Sequence, residues 1–249
     1  MTTYTAETSP LFTARLAGFL YLLVVPLGIF GSLYVPSRLI VPGDAGATAR
    51  NLMASESLFR LGIVSDLLAP LVLIFVVLFL YKLLKPVNKN MAWLMVIFLL
   101  LGVPIALLSK VNQFIALQLL SGAEYLTVFT QEQLQAMALL FLRLHDRTGT
   151  IAAIFWGLWL FPMGYLVFKS GFFPRILGIL LMIACFGYVI NSFSIFLGYP
   201  VNVGLIAALG EVLFILWLLI KGVDAEQWKK RALEAALRNP YEGIRSAVR

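Results

Sequence analysis

GIVSDLLAPLVLIFVVLFLYKLL, residues 62–84, decides the class of this molecule. About 20 mostly apolar residues are needed for a helix to cross about 30 Å of hydrocarbon, and this run has them. It also carries a carboxylate, Asp66, in its first turns. An Asp near the centre of a spanning helix costs about 2.5 to 3.5 kcal/mol, while each Leu, Ile, Val or Phe returns roughly 0.3 to 0.6. Fourteen such residues lie between Leu67 and Leu84. The segment therefore inserts despite its acid. Pro70 sits four residues after Asp66 and removes the donor that the residue 66 carbonyl would ordinarily take, so a carboxylate and a free carbonyl share one level of the helix.

Composition extends this reading to the whole chain. Of its 249 residues 61% are hydrophobic and only 12% charged. A soluble domain is about half apolar and about a quarter charged, so most of these side chains face lipid. Six spans are expected, near residues 14–34, 62–84, 91–120, 150–168, 176–197 and 203–220. The fold class that follows is all-α: a polytopic transmembrane bundle, with short extracytoplasmic helices and a basic C-terminal amphipathic helix. Residues 1–222 form the membrane domain and 223–249 the tail. The N-terminus lacks a basic n-region, so the first apolar run is read as a retained span. Cys185 is the single cysteine, which excludes an internal disulfide.

Upstream of the opening stretch, residues 38–61 form a long polar connection with three arginines, Arg38, Arg50 and Arg60. Asp44 is placed to cap a short helix over residues 45–55. Between the third and fourth spans, Thr130-Gln131-Glu132-Gln133 fits a capping box that opens a helix to about Arg147. Ser109, Asn112 and Gln113 share one face of the third span and should look into the bundle. After the sixth span, Asp224 caps AEQWKKRALEAALR, which aligns Ala225, Trp228, Ala232 and Ala235 and stops at Asn239-Pro240. Such a basic helix is drawn to anionic lipid at the membrane surface.

The net charge of +7 does not call for nucleic acid, because basic residues in a membrane protein sort by side. With both termini cytoplasmic, thirteen Lys and Arg fall on that side and six on the other. This favours a bacterial cytoplasmic membrane protein with both ends inside and the arginine-bearing connection outside.

Three ionisable residues fall within spans: Asp66, Lys110 and Glu211. Charges at such depth normally face inward, pair, and mark a site. Arg60 lies six residues before Asp66, on a different face of the same helix, so Asp66 needs a partner from another helix. Lys110 is at a matching depth. The expected site is an outward-facing polar chamber lined by Asp66, Lys110, Gln113, Asn191 and Glu211, with Arg60 and Arg147 at its mouth. A purely structural ion pair that holds helices in register is the alternative. Prolines in spans one to four expose carbonyls as transporter helices do, although prolines are also common in membrane helices. His145 is the only histidine, so a histidine-built zinc site is not expected, and no cofactor is implied. The run from Asp44 to Asp66 superficially resembles the acidic motif of CDP-alcohol phosphotransferases. The DG pair is interrupted, the spacing is too long, and Pro70 stands where the last acid belongs. No nucleophile elbow, zincin or phosphate-loop pattern occurs either, which leans against an enzyme.

Several ordered motifs carry a family resemblance: RLAGFLYL in the first span, LIVPGDAGATA and NLMASESLFR in the outer connection, LLKPVNK in the first basic turn, and LVFKSGFFPRILG in the second. With these the chain resembles the bacterial membrane proteins grouped as domain of unknown function 4386, over about residues 14–221. The resemblance implies a polytopic membrane protein and supplies no catalytic residues. The functional expectation is a binding or transport protein for a small polar or anionic solute, with outward arginines favouring anions. The alternative is a sensor or accessory subunit that works through its outer connection and basic tail.

Overall fold

A computed structural model describes residues 9–199, 201 and 204–238, and the described residues contain helices and no strands. The helices are α1 (Pro10–Gly28), continued by a π-helical turn (Ile29–Tyr34) into α2 (Val35–Leu39), then α3 (Ala45–Ala54), α4 (Glu56–Leu84) and α5 (Lys89–Leu119). After a 3-10 turn (Glu124–Leu126) come α6 (Gln131–Leu158), α7 (Leu160–Ser170), α8 (Arg175–Phe196), α9 (Gly204–Ile220) and α10 (Ala225–Arg238). The chain is an all-α helical bundle. Among the described residues five helical stretches are long and apolar enough to cross a membrane: Pro10–Leu39, Glu56–Leu84, Lys89–Leu119, Gln131–Ser170 and Arg175–Phe196. The expected sixth span corresponds to a shorter apolar helix, Ala208–Ile220. Its expected first residue, the Asn239-Pro240 stop, and part of the turn before α9 lie outside the described residues.

The outward faces confirm the solvent. Along α4 the exposed large side chains are Leu61, Val64, Leu68, Leu71, Phe75 and Leu78, at alternating steps of three and four. A helix that is apolar on its outside as well as its inside belongs in lipid.

One difference concerns α6. A break was expected between Arg147 and Thr150, but the helix runs on without interruption. No proline falls there, and Thr148 and Thr150 turn their hydroxyls back onto the carbonyls of Leu144 and Asp146, at 2.8 and 3.0 Å. Threonine can thereby stay helical. The capping box thus opens a spanning helix and not a separate surface helix. Thr130 N–H donates to Gln133 Oε1 at 2.9 Å, and Gln133 N–H donates to Thr130 Oγ1 at 3.3 Å.

The chain forms two compact units. The first takes the described residues of Met1–Tyr21, Ile74–Leu99 and Ile154–Arg249; the second takes Leu22–Leu73 and Leu100–Ala153. In the first unit small residues let backbones touch. A side chain at Gly178 would begin 2.6 Å from the Phe168 nitrogen, and one at Gly164 would begin 2.6 Å from the Gly178 carbonyl. This close approach is typical of helices packed in membranes. Helix α10 is anchored to this unit by polar contacts. Asp224 Oδ1 accepts from the N–H groups of Glu226 and Gln227, each at 3.1 Å. Trp228 Nε1–H donates to the Leu83 carbonyl at 2.9 Å, and Arg231 donates to the carbonyls of Lys169 and Ser170 at 3.1 and 3.4 Å. Those acceptors lie in the last turns of α4 and α7, where carbonyls have no intrahelical donor.

In the second unit the core joins Val35, Leu39, Leu52, Phe59, Ile63, Ala116, Leu117, Ala138 and Leu142. Helix α3 lies against this core by its Thr48, Ala49 and Leu52 face. Asp44 starts it by accepting from Ala47 N–H at 2.8 Å.

Candidate functional site

The site is organised by a widened turn. Pro26 in α1 cannot donate to the Leu22 carbonyl, and three residues later the helix opens into the π-turn Ile29–Tyr34. Single π-turns inside α-helices are frequent at functional sites. Against this turn lie two successive side chains of α4. Ser65 Oγ donates to the Leu27 carbonyl at 2.9 Å, and Ser32 Oγ donates to Asp66 Oδ1 at 2.7 Å. Gly31 makes room for them: a Cβ there would lie 2.6 Å from Asp66 Cγ and 2.8 Å from the Gly62 carbonyl.

The other oxygen of Asp66 faces α5. Lys110 Nζ donates to Asp66 Oδ2 at 2.8 Å, with the two side chains 9% and 4% exposed. At this burial Coulomb attraction is far stronger than in water, and an unpaired partner would be correspondingly costly. Three residues along α5, Gln113 is 3% exposed, and its Oε1 has no hydrogen-bond partner. Ser109 is also buried; its carbonyl accepts from Asn112 Nδ2 at 3.1 Å and lies 3.2 Å from His145 Nδ1. The face of Ser109, Asn112 and Gln113 thus turns inward. An ion pair, a hydroxyl and an unmet amide carbonyl thus lie within spanning helices.

Each of the other expected residues has neighbours of its own. Arg60 binds Glu56 on the exposed surface of α4, at 2.7 Å. Arg147 is exposed on α6. Asn191 and Glu211 belong to the first unit, whereas Asp66, Lys110 and Gln113 belong to the second. Glu211 has its own company there: the hydroxyl of Tyr21 donates to its carboxylate, and Tyr188 lies near it. The backbone carbonyl of Asn191 accepts from Ser194 Oγ at 2.8 Å. Sequence reasoning passed over Gly31, Ser32 and Ser65, and also Tyr21 and Tyr188. The adjacent Gly-Ser at 31–32, small and polar in an apolar run, was the one local signal for the first group. Among the described residues no cluster of His, Cys, Asp and Glu could hold a metal ion.

Comparison with known proteins shows the family of the chain. The model of the family described as Domain of unknown function (DUF4386) matches residues 16–222. An uncharacterized protein of Archaeoglobus fulgidus is 35% identical over 148 residues, covering 57% of this chain and 72% of its own. No solved structure matches the chain. The chain belongs to that family of multi-pass membrane proteins.

Proposed function

We propose that this member of the DUF4386 family is a binding or transport protein for a small polar or anionic solute, and that the Asp66–Lys110 pair is the charged element of its site. One observation carries the reading: the pair lies buried in spanning helices beside Gln113, whose Oε1 has no partner. A buried carbonyl left unmet costs about 1 to 3 kcal/mol. That cost is relieved when a solute donor reaches it. The cell membrane with both termini cytoplasmic is the setting, as the Lys and Arg distribution favours. Anionic lipid is the partner of the basic face of α10.

A second reading has its own support, since both oxygens of Asp66 already have partners within the protein. On that reading the pair sets helix register and the protein serves as a sensor or accessory subunit. One experiment separates the two. Wild type, Lys110→Met, Gln113→Leu and the charge swap Asp66→Lys with Lys110→Asp are reconstituted in liposomes, and uptake of labelled acetate, phosphate and sulfate is measured beside the melting temperature. The binding reading expects uptake that Gln113→Leu reduces and that the swap leaves impaired although its melting temperature recovers. Uptake absent for every solute, or recovered together with stability in the swap, gives the site to structure.

A further inference from the structure

Arg38 of α2, Arg50 of α3 and Arg60 of α4 have different fates. Arg38 stacks over Tyr34, its guanidinium carbon 5.5 Å from the ring centre. Arg60 is held by Glu56. Arg50 takes part in no ion pair or hydrogen bond among the described residues. It stands instead on the wall of a cleft of about 460 Å³ in the second unit, between α3, the end of α5, the 3-10 turn and the start of α6. Ligand-binding clefts run from about 300 to about 1,000 Å³, mostly apolar, with a few convergent polar groups.

The cleft has that division. Met53, Leu120, Leu126, Phe129 and Leu134 give it an apolar wall. Its polar corner is Arg50 with Gln131 and Gln135. Gly46 shows how closely two of these converge: a Cβ there would lie 3.3 Å from Gln135 Oε1 and 3.4 Å from Arg50 Nη1. Asp44 lies close to this corner, its Oδ1 3.6 Å from a Cβ placed at Gly46, and that oxygen accepts from Ala47 N–H at the start of α3. The Arg50 guanidinium has no ion-pair partner among the described residues, and the wall beside it is fit for hydrocarbon.

We infer that this cleft binds an amphipathic anion, an acyl chain with a carboxylate or phosphate head, with the head on Arg50 and Gln135 and the chain along Met53, Leu120 and Phe129. None of the cleft's residues belongs to the Asp66–Lys110 pair, so the inference stands independently of the solute reading.

The test uses the full chain in phosphatidylcholine nanodiscs and equilibrium binding of labelled decanoate, with empty discs as the baseline. Expected is saturable binding above that baseline, displaced by decyl sulfate and not by decyltrimethylammonium. Arg50→Gln should weaken it by roughly tenfold or more, the loss of a charge-assisted hydrogen bond. Ala123→Trp, which fills the cleft, should abolish it with the melting temperature kept, and Arg60→Gln should leave it unchanged. Repeating the assay in phosphatidylglycerol discs separates the sources: suppression of decanoate binding assigns the cleft to a lipid headgroup, and undiminished binding to a free acid. Uptake no greater than in empty discs, equal displacement by the cation, or full binding by either Arg50→Gln or Ala123→Trp overturns the inference.

Discussion

The carboxylate of Asp66 occupies the space that a side chain at Gly31 would need. Helix α4 can bring its acid against the π-turn only because that position is bare. Gly31→Ala should therefore destabilise the protein by about 1 to 3 kcal/mol, the usual cost of overpacking. Gly28→Ala is the control, since nothing lies within 4 Å of its Cβ position. It should be neutral or stabilise by up to about 1 kcal/mol, because alanine is the better helix former. Thermal unfolding of both variants in the same detergent checks the contrast.

Removing one member of the ion pair should cost more than removing both. Lys110→Met leaves a carboxylate buried without its cation, a loss of about 3 to 5 kcal/mol. Asp66→Asn combined with Lys110→Met should recover a large part of that loss. A double-mutant cycle on unfolding free energies gives the coupling, and additive single effects would contradict the pairing.

The reciprocal bonds between Thr130 and Gln133 begin a helix that continues into a span. Thr130→Ala should cost about 0.5 to 2 kcal/mol, as loss of an N-cap does. Its effect should show as faster amide exchange over the first turns of α6, with the middle of the span unchanged.

Trp228→Phe keeps an aromatic side chain, though a smaller one, and removes the donor to Leu83. The expected cost is about 0.5 to 1.5 kcal/mol. Limited proteolysis should then cut within α10 sooner than in the wild type, and Leu233→Ser, which changes an exposed position on that helix, should leave cleavage at the wild-type rate.

What the residues disclosed beforehand was the part of the fold that local chemistry governs. Asp44, Thr130 and Asp224 each sit a few residues from the N–H groups they accept from or serve, and their roles are readable in place. Apolar run length pointed to five of the six expected spans for the same reason, the sixth falling on a shorter apolar helix among the described residues. The continuity of α6 through Thr148 and Thr150 was not readable, since it depends on hydroxyls returning to carbonyls four residues back. The π-turn was hidden as well, because a proline in a span marks a lost donor and not the widened turn that follows it three residues later. Lys110 stood out as a partner by charge and depth alone. Tyr21 could not, because its bond to Glu211 spans 190 positions and nothing in either neighbourhood announces it.

The tail contact has a practical corollary for anyone cutting or tagging this protein. Trp228 and Arg231 do for α4 and α7 what a cap does for its own helix, finishing them from a distance. A shortened version ending before Ala225 would bare three carbonyl groups beside an oily slab, so the last helix has to be handled as a keystone of the spanning segments rather than as a dispensable appendage.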